Sequence, residues 1–237
     1  MSTPMPNPAP ELTVVVPAYN EEKSLATIVA RVLAQPLDLE LVVVDDGSRD
    51  RTPQIADDLA RSDPRVRAFH LARNSGKGAA VRRGIQEARG AWVVIQDGDL
   101  EYDPADFVRM LAEVKRGGGQ VIYGSRRLEY RSANAKASYY YGGVLLSWFT
   151  NLLYGSRLTD EATCYKMWRR ELIQSIPLVG DGFEFCPEVT AKVLKRGHAI
   201  PEIQIHYEPR STAEGKKIRW RDGLIALWTL LKFRFKA

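Results

Sequence analysis

Leu12–Glu22 reads LTVVVPAYNEE and Leu39–Asp50 reads LELVVVDDGSRD. Each begins with aliphatic, largely β-branched residues that lack polar alternation, the pattern of a strand covered on both faces, and each ends in a polar turn. Between them Leu25, Ile28, Val29, Val32 and Leu33 fall on one helical face before Pro36. The same alternation continues downstream. Val66–Leu71 is a weaker third strand and Ala91–Ile95 (AWVVI) a fourth. Thr52-Pro53 opens a helix with Thr52 as its cap and Pro53 in its first turn. Ala80, Val81, Gly84, Ile85 and Ala88 share a face that ends at Gly90, and Asp103-Pro104 opens a helix that turns Phe107, Leu111 and Val114 inward and closes at Gly117. Strand–helix–strand repetition predicts a parallel sheet with right-handed crossovers, so the class is α/β.

Ligands of such sheets bind beyond the carboxyl ends of the strands. Those four ends read PAYNE (17–21), DDGS (45–48), RNSGK (73–77) and DGDLE (97–101), an edge that mixes carboxylates with Arg73 and Lys77. That mixture suits a metal-bound anion better than a bare one. Gly76-Lys77-Gly78 is no P-loop, since Leu71 stands where the first glycine is needed and Gly78 replaces the Ser/Thr after the lysine. Nor is it a dinucleotide fingerprint, because it follows the third strand and the first strand leads into PAYNEE. Asp97-Gly98-Asp99 can aim two carboxylates at one point, a donor set suited to Mg²⁺ or Mn²⁺, with Glu101 as a third oxygen or as a cap for the next helix.

The chain of 237 residues carries 34 Lys+Arg against 29 Asp+Glu, a net charge of +5, and 45% hydrophobic residues, which excludes a disordered or fibrous protein. Two cysteines, Cys164 and Cys186, and three histidines argue against a disulfide framework or a zinc site. Residues 1–10, with prolines at 4, 6, 8 and 10, read as a disordered tail, residues 11–210 as one α/β domain, and 211–237 as a basic loop followed by an amphipathic helix. No run of about 18 apolar residues occurs. Two segments come partway. Gly142–Tyr154 is apolar nearly all round, while in Asp222–Lys236 the residues Leu224, Leu227, Trp228, Leu231 and Phe235 share one face and Thr229, Lys232 and Lys236 another. With Trp228, Phe233 and Phe235 interleaved among Lys232, Arg234 and Lys236, the latter segment reads as an interfacial helix on anionic lipid; the alternative is that both helices close the core or pair two copies in a homo-oligomer.

Six ordered motifs, PAYNEE, VVDDGSRD, RNSGKGAA, IQDGDLEYDP, YGSR and TDEATCYKMWRR, resemble the dolichol-phosphate mannose synthase branch of glycosyltransferase family 2 over residues 12 to 220. The resemblance implies a GT-A fold, a nucleotide sugar as donor (GDP-mannose or a UDP-sugar), Mg²⁺ or Mn²⁺ as cofactor, and inverting transfer to a polyprenyl phosphate. It implies Pro17, Tyr19 and Glu21 around the base, with Val44 and Asp46 beside base and ribose. Asp97, Gly98 and Asp99 would hold ribose, diphosphate and metal, with Glu101 standing where many relatives have a glutamine metal ligand. Arg126 would contact phosphate, Arg210 and Lys216 would close over the donor diphosphate, and Arg131 and Lys136 would join Arg126 at the acceptor phosphate. Asp99 and Arg126 would be the catalytic pair. The spanning tail of such enzymes has no counterpart in this sequence, so a peripheral protein on the cytoplasmic membrane face is expected.

The inventory agrees with that chemistry. A phosphate monoester is largely deprotonated at neutral pH and needs no general base, and no Ser-His-Asp or Cys-His pair stands out. His70 and His206 read as structural, His198 as a surface residue, and Cys164 and Cys186 as packing residues. Asp160 either orients substrate or caps a turn, and Asp181-Gly182-Phe183-Glu184 reads as a helix cap. Alternatives are a family 2 enzyme acting on a non-lipid saccharide, a sugar-phosphate nucleotidyltransferase, whose first strand would lead into a glycine-rich basic loop, and a non-catalytic binder. Nucleic acid is not expected as a partner, because the basic residues form no concentrated, aromatic-interleaved face.

Overall fold

The structure, a computed structural model, describes residues 9–128, 137–208 and 220–236. β1 (Leu12–Ala18), α1 (Leu25–Leu33), β2 (Leu39–Asp45), α2 (Thr52–Ser62), β3 (Val66–His70), α3 (Lys77–Glu87), β4 (Trp92–Ile95) and α4 (Asp106–Gly117) alternate as the periodicity predicts. Then follow β5 (Val121–Ser125), α5 (Ala137–Tyr154), β6 (Lys166–Arg169), α6 (Arg170–Ser175), α7 (Phe185–Lys195), β7 (Glu202–Gln204) and α8 (Trp220–Phe235). The strands form one sheet in the order β3-β2-β1-β4-β6-β5-β7. All neighbours pair in parallel except β6, which runs antiparallel to both β4 and β5. β1 and β2 are buried along almost their whole length, which is why neither alternates in sequence.

Three local expectations are corrected. Thr52 does not cap α2 with its side chain; its Oγ1 instead accepts the Glu21 N–H at 2.8 Å, and Asp50 Oδ1 accepts the Thr52 N–H at 2.9 Å. The helix begun at Asp103-Pro104 starts in earnest at Asp106, after a turn in which Asp103 Oδ1 accepts the Ala105 N–H, and the left-handed stop is Gly118. α3 ends before Gly90, at Glu87. The fourfold α/β alternation stands, with Phe107, Leu111 and Val114 all buried on α4.

The strand order reverses between β1 and β4, where each βα connection leaves in the opposite direction and a crevice opens at the carboxyl ends. Because β6 is antiparallel, the segment that precedes it, Thr159–Tyr165, arrives at that same edge beside the ends of β4 and β5. At the far end of the chain α8 packs on α7 and α5, burying Ala226, Thr229, Leu230 and Phe233. The Tyr154 hydroxyl donates to the Leu230 carbonyl at 2.7 Å across that contact.

Candidate active site

Hydrogen bonds clasp the turns after β1 and β2 together. Asn20 holds a left-handed backbone (φ 54°); its N–H donates to Ser48 Oγ at 2.9 Å and its Oδ1 accepts the Arg49 N–H at 2.9 Å. Gly47 has φ 66°, and a Cβ there would lie 2.5 Å from the Arg73 carbonyl carbon, so the DDGS turn needs glycine on both counts. Gly47→Ala should therefore lower stability by at least about 2 kcal/mol, a fall of about 4–8 °C in melting temperature on thermal denaturation. Asp46 binds the RNSGK loop: Oδ1 accepts the Ser75 N–H at 2.7 Å, and Oδ2 accepts Asn74 Nδ2 at 3.1 Å and the Gly76 N–H at 2.8 Å. Burial pushes its carboxyl up, against the pull of those two N–H groups. Asp46 thus fixes the crevice wall, with most of its acceptor capacity used. The Val44 side chain is fully buried in a small cluster with Val42 and Ala80.

The turn after β4 meets the turn after β1. A Cβ on Gly98 would lie 3.2 Å from Glu21 Cγ and 3.6 Å from the Pro17 carbonyl oxygen. Close approach, not a positive φ, explains the glycine in Asp97-Gly98-Asp99. Pro17, Glu21 and Gly98 therefore adjoin one another, with half-buried Tyr19 on the same turn. Gln96, wholly buried, steadies the strand end by accepting the Tyr165 hydroxyl at 2.6 Å and donating to the Asp97 carbonyl at 3.0 Å.

Asp97 Oδ1 lies 2.5 Å from Lys77 Nζ, with both side chains about four-fifths buried. Burial works against the Lys77 charge, but the Asp97 carboxylate outweighs it and holds the ammonium well above its usual range. Asp97 thus faces a cationic side chain at the rim. Among the described residues no three His, Cys, Asp or Glu side chains converge as a ready-made metal cluster. Glu101 faces elsewhere in part, its Oε2 accepting the Tyr207 hydroxyl at 3.0 Å. Two carboxylate-bearing residues on one turn, with the remaining oxygens left to water and substrate phosphates, is the donor set Mg²⁺ and Mn²⁺ ordinarily take. The residues fit such an ion.

Arg126 sits at the end of β5, where its guanidinium meets buried Asp160: Nε donates to Oδ2 at 2.6 Å and Nη2 to Oδ1 at 2.8 Å, while the Arg126 N–H reaches Oδ2 at 3.1 Å. Arg127 Nη2 donates to the same Oδ1 at 2.9 Å. Burial alone would raise the Asp160 carboxyl, but the Arg126 and Arg127 charges and hydrogen bonds outweigh it and hold it below the usual carboxylate range. Two guanidinium groups share the Asp160 carboxylate, and a second carboxylate lies beside it in Glu202, whose Oε1 accepts the Asp160 N–H at 3.0 Å. The Arg126 guanidinium also lies over the Tyr207 ring, 5.0 Å from its centroid, so Tyr207 links it to Glu101. The Asp160 carboxylate thus fixes an arginine at the rim, a role that neither reading open for it in the sequence names.

Arg131, Lys136, Arg210 and Lys216 lie outside the described residues, as does the tail over residues 1–8. His70 bridges Asp45 and Asp57, and His206 meets Glu208, in keeping with structural roles. Cys164 and Cys186 are free; the expected helix cap at 181–184 is corrected, since Glu184 stands at the N-cap of α7 without a side-chain cap bond and its Oε1 instead accepts the Asp181 and Gly182 N–H groups of the preceding turn. Sequence reasoning passed over Arg127, Tyr207 and the buried Lys166–Glu161 pair, whose Nζ donates to the Glu161 carbonyl at 2.5 Å. The available signal was three charged residues, Asp160, Glu161 and Lys166, in a segment entering a buried strand.

Beside this cluster two helices turn apolar residues outward. α5 exposes Tyr141, Val144, Leu145, Trp148 and Leu152, and α8 exposes Leu224, Ile225, Trp228 and Phe235. The outer face of α8 is the one the periodicity predicts, but Thr229 and Phe233, expected on the polar face and at the interface, are buried. The core-closing alternative is thus met by the inner face alone. No helix among the described residues is long and apolar enough to cross a membrane.

The family model for glycosyl transferase family 2 matches residues 13–176. Dodecaprenyl-phosphate galacturonate synthase of Rhizobium johnstonii is 33% identical over 87% of this chain, which spans 61% of that protein's length. Polyprenol monophosphomannose synthase of Mycolicibacterium smegmatis is 30% identical over 93% of this chain and 88% of its own. Among solved structures, glucosyl-3-phosphoglycerate synthase from Mycobacterium tuberculosis in complex with UDP superposes with a TM-score of 0.72 at 20% identity, covering 95% of this chain and 80% of that one. A further structure of that enzyme holds Mn²⁺, UDP and glucosyl-3-phosphoglycerate, with a TM-score of 0.68 at 22% identity. Sheet order, rim and matches agree: the chain belongs to glycosyl transferase family 2 and is a glycosyltransferase of the GT-A fold.

Proposed function

We propose that the enzyme moves a hexose from a nucleotide sugar to the phosphate of a polyprenyl phosphate, inverting the anomeric carbon, while seated on a membrane surface. The observation that carries this reading is an adjacency. The arginine pair is bonded through Arg127 directly to α5, whose outer stripe is apolar. An acceptor with an anionic head and an apolar tail matches both. The names of the two relatives above support the same class of acceptor.

In this reading the nucleoside lies against Pro17, Tyr19 and Glu21, on the wall that Asp46 fixes, and the donor diphosphate reaches the Asp97-Gly98-Asp99 turn. Arg210 and Lys216 close over it. Arg126 holds the acceptor phosphate, with Arg131 and Lys136 as further cations. A deprotonated phosphate oxygen attacks the anomeric carbon while the bond from that carbon to the diphosphate oxygen breaks, its electron pair leaving with the nucleoside diphosphate. The acceptor's second pKa near 6 makes a general base unnecessary. Asp97 and Asp99, with Glu101 at the edge of the set, would hold Mg²⁺ or Mn²⁺, which supplies charge neutralisation for the leaving diphosphate. The protein's own task is to bring two anionic substrates together in line.

The test is incubation with Mg²⁺ or Mn²⁺, a panel of nucleotide sugars and either a short polyprenyl phosphate or a water-soluble phosphorylated acceptor. Release of nucleoside diphosphate is expected only with the lipid phosphate. Release only with the soluble acceptor would overturn the reading. For the membrane surface, flotation with anionic vesicles at low salt should carry the protein upward, and the double variant Trp148→Ala/Trp228→Ala should stay at the bottom without losing thermal stability, since both side chains are exposed. Equal flotation of that variant would remove α5 and α8 from the contact.

A further inference from the structure

Arg127 is the most connected side chain at the acceptor edge, and the family motifs give it no role. Its guanidinium is nine-tenths buried. Nε donates to the Thr159 carbonyl at 3.1 Å; Nη1 donates to the Tyr140 carbonyl at 3.4 Å; Nη2 reaches the Gly143 carbonyl and Ser147 Oγ, each at 3.2 Å, as well as Asp160. Three of those acceptors belong to α5. Ser147 Oγ also accepts the Glu161 N–H at 2.9 Å and donates to the Gly143 carbonyl at 3.0 Å, closing the bracket. Gly143 makes room for it, since a Cβ there would lie 2.6 Å from Arg127 Nη1.

Two consequences follow from this geometry. Without Arg127, the Asp160 carboxylate would rest on Arg126 alone, with a second carboxylate beside it in Glu202, whose Oε1 accepts the Asp160 N–H at 3.0 Å. With Arg127, the same carboxylate that orients Arg126 is tied to three points on α5, so helix and guanidinium share one frame. We propose that Arg127 is a positioning residue for the acceptor: it shares the Asp160 carboxylate with Arg126, and it locks α5 to that carboxylate so that head and tail of the acceptor are received in register. This rests on the polyprenyl-phosphate reading above.

Binding decides it, with farnesyl phosphate as acceptor probe and UDP and GDP as donor-side probes, on wild type and on the variants R127A, R127K and G143A. Arg127→Ala should weaken farnesyl phosphate at least tenfold and leave nucleotide affinity within twofold. Arg127→Lys, which keeps charge but lacks the fork, should fall between. Gly143→Ala keeps the guanidinium but displaces it, and should show the same acceptor-only loss to a smaller degree, which covers the case in which Arg127→Ala fails to fold. Farnesyl phosphate affinity unchanged in Arg127→Ala or in Gly143→Ala overturns the inference, as does an equal loss for farnesyl phosphate and nucleotide, the mark of a purely structural role. If wild type fails to bind farnesyl phosphate while binding nucleotide, the acceptor reading falls and takes this inference with it.

Discussion

Asp99→Asn should reduce turnover about a thousandfold with the fold intact, because one neutral amide would replace an anionic ligand at the point where the leaving diphosphate gathers charge. Several kcal/mol of transition-state stabilisation are at stake in such a site, and each 1.36 kcal/mol is tenfold in rate. Asp97→Asn should add a weaker donor affinity, since that carboxylate also holds Lys77 in place at 2.5 Å. Initial-rate kinetics with varied Mg²⁺ or Mn²⁺, together with circular dichroism, provide the measurement. Normal turnover of Asp99→Asn, or wild-type rates in excess chelator, would sink the metal assignment.

The second large effect is expected at Asp160. Its side chain is fully buried beneath two guanidinium groups, so Asp160→Asn keeps the shape and leaves two cations without a counter-charge. Breaking a buried pair on one side costs about 3–5 kcal/mol, a drop of about 6–20 °C in melting temperature for a chain of this size. The pH dependence follows from the lowered carboxyl. Its folded value lies below its unfolded one, so its contribution is complete above the unfolded pKa near 4 and fades as pH falls through the folded value. Wild type should therefore lose its advantage over Asp160→Asn in strongly acidic buffer. A constant gap between the two melting curves at all pH values would show that folding does not shift the Asp160 carboxyl. Activity should fall as well, because Arg126 would lose the fork that aims it, and Arg126→Lys should be damaged for the same reason.

The front of the molecule was legible because its code is local. LTVVV and LELVVV announce doubly covered strands, and the turns after them had to face one edge once the sheet was parallel. The edge was therefore readable down to Asp97 and Asp99. The antiparallel β6 was not, because KMWR is four residues long and its direction is set by pairing with β4 and β5, contacts of long sequence separation. With β6 unread, Asp160 had no place, and the pairing of Asp160 with Arg126 and Arg127, more than thirty residues away, could not be seen. Strand parity turns the Val44 side chain into a small cluster with Val42 and Ala80, which motif position alone does not reveal. On α8 a single-helix projection found the outer face, yet it could not know that α5 and α7 would cover Thr229 and Phe233.

The passage of the chain across the sheet has a consequence for how such enzymes diversify. The Asp97–Lys77 pair comes from residues before α4, and the Arg126–Asp160–Arg127 bracket comes entirely from residues after it. The covalent link between them runs through α4 and the exposed Gly117 and Gly118 at its end, where side chains would meet open space. A recombination event there would still have to preserve a broad seam. Besides the pairing of Trp92, Val93 and Val94 with Arg169, Trp168 and Met167, Tyr165 donates to Gln96, Arg82 to Asp181 and Gln174 to the Ile85 carbonyl, so the two chemistries of the rim can be exchanged only between parents that share those contacts.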